Sequence, residues 1–333
     1  MSTTSEAISC RNLSVGYASG KLRKFVLEGI NATFRKGDVA AIAGINGAGK
    51  STLLKTLTGL LKPLQGEIYL FGKEITAFSP HELSRTISLV LTERPEELYL
   101  TVFDTVASGR SPYTGFWGKL SRTDHLVVQR SLQYVGVGHL KHRLLNSVSD
   151  GERQKVMIAK ALAQDTPIIM LDEPAAFLDF PSKIELMHLL KRLASEHHKT
   201  ILFSSHDLDL IIRTADNVWL IGNNAPIVQG VPEILLKTHA FAQSFGNDRL
   251  KFDPLLGHFQ VQETVKGTYL ILDDMENNAL IASALQRKGF MPSNTSEADL
   301  IIKFAGTNYQ LLNNSETTTF ENFEKLIYGI QKL

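Results

Sequence analysis

Short apolar runs of strand length punctuate the first two thirds of the chain. Val39-Ala40-Ala41-Ile42-Ala43, Ile168-Ile169-Met170-Leu171 and Thr200-Ile201-Leu202-Phe203 lack polar alternation, the pattern of strands buried on both faces. The stretch Ser182 to Ala194 between the last two reads as an amphipathic helix, giving a β-α-β unit and a mostly parallel, covered sheet. Ser51 to Leu61 predicts a helix with Leu53, Leu54, Leu57 and Leu61 on one face. Residues from about Ile8 to Phe34 alternate and turn like antiparallel strands, and Gly66 to Gly72 adds another strand bounded by glycines. His81 to Ala163 has mostly helical spacing, broken by a polar, glycine-containing loop from Ser111 to Lys119.

From about Ser244 the pattern restarts. Tyr269 to Leu272 reads as a strand, Ala279 to Lys288 as a helix closed by Gly289, and Leu300 to Ile302 as another strand. Phe320, Phe323, Ile327 and Ile330 mark the face of a final helix. The expected fold class is therefore α/β: a domain at 1–243 with a parallel sheet core, an antiparallel β subdomain and a helical subdomain at about 90–165, then a small α/β domain at 244–333.

Composition narrows the field. Lys+Arg 35 against Asp+Glu 34 leaves a formal charge of +1, which gives no reason to expect nucleic acid as a partner. Cys10 is the only cysteine, so an intrachain disulfide and a cysteine metal cage are excluded, and its strand-like setting predicts a small buried hydrophobe. His258 stands alone and His197-His198 ends a helix, which reads as solvated surface. Met1 to Ala7 is polar and does not resemble a signal peptide, and no run is long enough to cross a bilayer. The expectation is a cytosolic protein whose membrane role, if any, comes through a partner.

Gly44-Ile45-Asn46-Gly47-Ala48-Gly49-Lys50-Ser51 fits the G-x-x-x-x-G-K-[ST] phosphate-binding pattern, between a buried strand and a helix. That setting aims successive backbone N–H groups and a helix N-terminus at phosphate oxygens. Lys50 would reach the terminal phosphates of a nucleoside triphosphate, and Ser51 would offer its hydroxyl to Mg²⁺. Asp172 ends an apolar strand, where it can support Mg²⁺ directly or through water. The adjacent Glu173 can polarise water for in-line attack on the γ-phosphate.

Two further segments complete a pattern: Ser147 to Gln154, leading into an alanine-rich helix, and Ser204-Ser205-His206-Asp207, ending the next apolar strand. With Phe177-Leu178-Asp179 between them, the chain resembles the ATP-binding cassette (ABC) ATPases of the P-loop class over about Ile8 to Pro232. The resemblance implies ATP and Mg²⁺ as cofactors, with Lys50, Glu173 and His206 catalytic and Ser51 and Asp172 on the metal. Nucleotide contacts would come from Tyr17, stacked on adenine, and from Gly44, Ile45, Asn46, Gly47, Ala48, Gly49, Lys50, Ser51 and Thr52. In this family two cassettes sandwich two ATPs head to tail. The signature residues Ser149, Asp150, Gly151 and Glu152 would then serve the partner's nucleotide, and Asp179 would bridge the interface. One position departs: Thr92-Glu93 stands where the family has a glutamine. Thr92 acts through an intermediary, Glu93 takes the role, or the contact is weak.

Within the family, Leu100 to Tyr113, with Gly109-Arg110-Ser111-Pro112 and the following Asp124, is similar to a pattern of iron–siderophore, haem and cobalamin importer ATPases. That implies a homodimer of ATPase subunits, a transmembrane permease dimer, and indirectly an extracytoplasmic substrate-binding protein, with the chain peripheral at the cytoplasmic face of the membrane. The segment at 100–113 would border the groove that receives a short permease helix. A soluble ABC ATPase that remodels a macromolecular complex without transport is the alternative. For 244–333 a packing or dimer-stabilising role is expected, with ligand-dependent regulation as the sharper alternative.

Overall fold

The buried runs become the centre of a six-stranded sheet. In the computed structural model, residues 6–20, 22–92, 99–222, 226–245, 250–253, 258–261, 265–272, 277–305, 308–313 and 316–333 are described. The chain divides into two units, Met1–Asn247 with Phe252–His258, and Asp248–Lys251 with Phe259–Leu333.

In the first unit, β3 (Val39–Ala43), β6 (Ile87–Val90), β7 (Ile168–Leu171), β8 (Thr200–Ser205), β9 (Asn217–Leu220) and β10 (Val228–Gly230) lie in the order β10-β9-β3-β8-β7-β6. All pairs are parallel except β9–β10. Their side chains alternate between two apolar layers. Val39, Ala41, Ala43, Ile169, Leu171, Ile201 and Phe203 face one core, and Ala40, Ile42, Ile168, Met170 and Leu202 face the other.

The second core is closed by an antiparallel sheet, β2-β1-β4-β5, made of β1 (Glu6–Ser19), β2 (Leu22–Arg35), β4 (Gln65–Leu70) and the short β5 (Lys73–Glu74). Phe34 of β2 stacks on Trp219 of β9 with ring centroids 4.0 Å apart, pinning this layer to the parallel sheet. Cys10 lies in the same core, and burial pushes its thiol up to about 12. Helix α1 (Lys50–Leu57) packs here through Leu53, Leu54 and Leu57. It is shorter than the pattern suggests: Leu61 N–H returns to Lys55 O at 3.0 Å, a chain reversal that ends the helix before Leu61.

The first core holds the helical region: α3 (Val102–Ala107), α4 (Arg122–Tyr134) and α5 (Asp150–Ala163), with α6 (Phe180–His197) and α7 (Leu208–Thr214) beside the sheet. Helices α3, α4 and α5 each begin with a capping box, Thr101/Asp104, Ser121/Asp124 and Ser149/Glu152. The span His81 to Ala163 is not mostly helical throughout, because α2 (Pro80–Ser84) is followed by strand β6. A four-residue segment, Ile87-Ser88-Leu89-Val90, is too short for periodicity to tell strand from helix, and pairing with β7 decides it. Helices α8 (Pro232–Lys237) and α9 (Ala240–Phe245) complete the unit, and the short strands β11 (Leu250–Asp253) and β12 (His258–Val261) follow in the chain.

The second unit carries a sheet ordered β14-β13-β15-β16-β17, from β13 (Gly267–Leu272), β14 (Phe290–Pro292), β15 (Leu300–Ala305), β16 (Asn308–Asn313) and β17 (Glu316–Phe320). Helices α10 (Asn278–Gln286) and α11 (Phe323–Gln331) build its separate core with Tyr269, Leu300, Ile302 and Leu311. Strands β16 and β17 have no counterpart in the sequence pattern. Phe320 ends β17 and is not on the last helix, which begins after its cap Asn322, whose side chain accepts from Lys325 N–H at 2.9 Å. Among the described residues no helix is long and apolar enough to cross a membrane.

Candidate functional site

The turn after β3 is built from its glycines. Gly49 sits at φ 98°, in the left-handed region, and a Cβ there would lie 2.5 Å from Val26 Cγ1. Lys50 opens α1 and folds back over the turn. Its Nζ donates to Gly44 O at 2.9 Å and Ile45 O at 3.1 Å, and pairs with Glu173 Oε1 at 3.0 Å while only 5% exposed. Ala48 N–H closes the turn on Ile45 O at 3.2 Å. On the outer side, the half-exposed Tyr17 shares a hydrogen bond with Thr52 Oγ1 at 3.1 Å, which ties the end of β1 to α1.

The carboxylates arrive from β7, the strand two places away in the sheet. Asp172 is buried, and its Oδ1 accepts from Ser51 Oγ at 3.0 Å and from Ser204 Oγ at 2.6 Å. Ser204, fully buried at the end of β8, also accepts from Glu173 N–H at 2.8 Å. Thr92 Oγ1 donates to the Asp172 carbonyl at 2.7 Å. The peptide between Asp172 and Glu173 is thus gripped by hydroxyls from both neighbouring strand ends. That grip is needed, because Glu173 adopts φ 45°, a conformation costing a non-glycine residue about 1–2 kcal/mol.

The Glu173 carboxylate is held at both oxygens: Lys50 on Oε1, and His206 Nδ1 on Oε2 at 2.9 Å. Beside it opens a cavity of about 350 Å³, lined by Asn46, Glu173, Lys183, Ser205, His206 and Asp207 among others. Lys183 Nζ donates to Asp207 Oδ2 at 2.7 Å. Burial opposes ionisation of Asp207, but the bonds from Lys183 and Leu210 N–H outweigh it and hold the carboxyl below its usual range. Side chains from β3–α1, β7, β8 and the segment after β6 therefore converge on one locus.

The signature residues form a second locus at the start of α5. Ser149 Oγ caps Glu152 N–H at 3.3 Å, and Glu152 Oε2 accepts Ser149 N–H at 2.8 Å. The Ser149 N–H and, at 2.9 Å, the Ser149 hydroxyl donate to this carboxylate and hold it below its ordinary range. A Cβ on Gly151 would lie 2.9 Å from Ser182 Oγ, so the start of α5 lies close against the start of α6. There Asp179 caps α6 through Ser182 N–H at 2.9 Å, flanked by Phe177 and Phe180, both over 70% exposed. Asp150 is exposed, with Arg153 at 3.7 Å. Glu93 lies outside the described residues, and Thr92 is the member of that pair whose contact is seen.

Sequence reasoning passed over Ser204 and Lys183. A serine ending an apolar strand signals a polar site at the strand's end, but nothing in the sequence says which atoms its hydroxyl meets.

The profile of the ABC transporter family matches residues 27–176. An uncharacterized ABC transporter ATP-binding protein of Methanocaldococcus jannaschii is 41% identical, over 77% of this chain and 87% of that protein. The achromobactin transport ATP-binding protein of Dickeya dadantii is 38% identical, over 70% and 87%. Among solved structures, a dimeric bacterial ABC transporter cassette superposes with a TM-score of 0.60 at 26% identity, covering 68% of this chain and 98% of that one. The phosphate-loop geometry, the fold and these likenesses agree: the chain belongs to the ABC transporter family, as an ATP-binding subunit that hydrolyses ATP.

Proposed function

We propose that two copies of this chain clamp two ATP molecules and drive a membrane importer for a metal chelate of the iron–siderophore, haem or cobalamin type. The observation that carries the catalytic half is the Glu173 carboxylate, poised between Lys50 and His206 at the mouth of the cavity. In this reading the backbone N–H groups of Gly47 to Ser51 hold the phosphates, and Tyr17 stacks on the base. Lys50 leaves Glu173 for the terminal phosphates when ATP arrives, since phosphate offers it more negative charge at close range. Glu173, so released, orients the attacking water, and His206 contacts the γ-phosphate.

The hard oxygen donors Ser51 and Asp172, 3.0 Å apart, suit Mg²⁺, which takes few protein ligands and completes its shell with phosphate and water. Bound there, it would offset charge on the phosphates. No group of three or more candidate His, Cys, Asp or Glu ligands exists among the described residues, which fits such a shared site better than an all-protein cage.

The Ser149 turn and Asp179 would face the partner's nucleotide. Exposed Phe177 and Phe180 supply apolar surface beside Asp179 for a second copy, and the dimeric cassette noted above is similar to this chain. ATP closes such a dimer by adding contacts across both sites, and hydrolysis removes them, so the equilibrium follows differential binding. For the permease, a recess of about 550 Å³ between the end of α1, α2 and β6 is lined by Leu61, Pro63, Ile75, Phe78 and Leu83 among others. Pro112 O accepts from Arg85 beside it, which brings the importer-like segment to its rim. Both features fit an apolar helix from a permease dimer at the cytoplasmic face of the membrane, in turn served by an extracytoplasmic binding protein. The cargo class rests on that segment and on the achromobactin named for the Dickeya dadantii relative.

The test is Glu173→Gln. Turnover should fall roughly a hundredfold or more with ATP binding retained, and pull-down from detergent-solubilised membranes should recover an ATP-closed dimer on a multi-span permease. Unchanged turnover would remove Glu173 from the mechanism. Recovery of ribosomes or nucleic acid in place of a permease would favour the non-transport reading.

A further inference from the structure

The loop between α3 and α4 carries two aromatic side chains in full contact with water. Phe116 is 96% exposed and Trp117 89%, their rings edge to face with centroids 5.4 Å apart. Most large exposed apolar residues elsewhere sit singly, but these two are adjacent and project from a loop with Gly115 and Gly118 on either side. Neither ring contributes to the first unit's cores. Leaving both in water forgoes about 1.5–3 kcal/mol for each ring that could be buried, so the pair marks a surface that meets something apolar.

Charge selects what that is. From Thr105 to Thr123 the sequence has Arg110, Lys119 and Arg122 and no acidic residue. Arg110 is buried against Asp124, which leaves Lys119 and Arg122 as the loop's exposed charges. Arg85, which follows α2, stacks over Tyr113, while Glu82 of α2 is paired with Lys73. An aromatic tip followed within a few residues by exposed cations matches the boundary of an anionic bilayer, where tryptophan sits at headgroup depth and lysine or arginine meets lipid phosphate. It matches the cytoplasmic face of a membrane protein poorly, because such faces are themselves enriched in lysine and arginine. We propose that Phe116 and Trp117, with Lys119 and Arg122, form an anchor that inserts into the interface of anionic lipid.

This surface is separate from the nucleotide site, and the experiment needs no permease. The chain has two tryptophans, and the other, Trp219, is fully buried against Phe34, so emission changes on adding vesicles report Trp117. Full-length protein mixed with phosphatidylcholine/phosphatidylglycerol vesicles should show a blue-shifted emission and co-sediment with them. It should do neither with phosphatidylcholine alone, and raising salt should weaken both effects. Phe116→Ser should lower the vesicle partition coefficient roughly tenfold, and Lys119→Glu with Arg122→Glu by more than tenfold. Basal ATPase activity and the thermal midpoint of both variants should stay at the parent's values, and Lys50→Ala should bind vesicles like the parent. No binding to the mixed vesicles overturns the proposal, as does equal binding to neutral ones or an undiminished Phe116→Ser. A blue shift that appears only with solubilised membrane protein also overturns it, in favour of a protein partner.

Discussion

Ser204 links the two carboxylates through one oxygen, donating to Asp172 and accepting from the Glu173 backbone. Its replacement by alanine leaves a buried N–H without a partner, a loss of about 1–3 kcal/mol, and frees the strained Glu173 backbone to relax. We expect Ser204→Ala to lower kcat roughly tenfold with little change in ATP affinity, the mark of a group that acts by positioning another. Steady-state kinetics beside equilibrium nucleotide binding checks this, and equal losses in both would point to general misfolding. Thr92 offers a parallel case: among the described residues its hydroxyl meets the Asp172 carbonyl, so Thr92→Ser should retain turnover and Thr92→Val should lose it severalfold. Among the described residues, the contact seen at this position is that of Thr92 with the Asp172 backbone.

At the scale of elements, the helical region is locked by a buried pair. Arg110 Nε meets Asp124 Oδ1 at 2.8 Å, and Arg110 Nη1 donates to Ala163 O at 2.8 Å, so one guanidinium joins the segment after α3 to α4 and the end of α5. Asp124 is also the third residue of α4 and accepts from Ser121 Oγ and N–H. These Ser121 bonds first, then Arg110, overcome burial and hold its carboxyl at about 2. Because the folded value lies below the unfolded one, near 3.9, this pair contributes fully above about pH 5 and is lost as pH falls toward 2. Asp124→Ala strands a buried guanidinium, a loss of about 3 kcal/mol, seen as a lower denaturation midpoint at pH 7 that converges on the parent under acid. The sequence pattern quoted Arg110 and Asp124 as part of a resemblance. Their mutual contact, fourteen positions apart across a loop, is a fact of packing.

For the whole molecule, the two units have separate apolar cores, and that of 259–333 includes Leu285, Leu300, Leu326 and Ile330. We expect the full chain to unfold in two calorimetric steps, and a variant ending at Gln243 to keep the step that ATP shifts upward, since a ligand stabilises only the unit that binds it. A single step for the full chain would show one cooperative body. ATPase activity of that truncation, alone and with permease, would separate a packing role for the tail from a regulatory one.

The chain by itself determined what depends on near neighbours and period. Continuous apolar runs between polar turns make doubly covered strands, and a glycine pattern followed by Lys50 makes a phosphate loop, because backbone sterics act over a few residues. Four-residue β6 and the strands β16 and β17 were beyond such reasoning, since partners across the sheet create them. Tertiary structure alone decided that Ser51, Ser204 and Thr92, separated by up to 153 positions, would hand their hydroxyls to the Asp172–Glu173 pair. Hydrogen bonds need contact to within a few tenths of an ångström, and only the folded sheet brings those strand ends together.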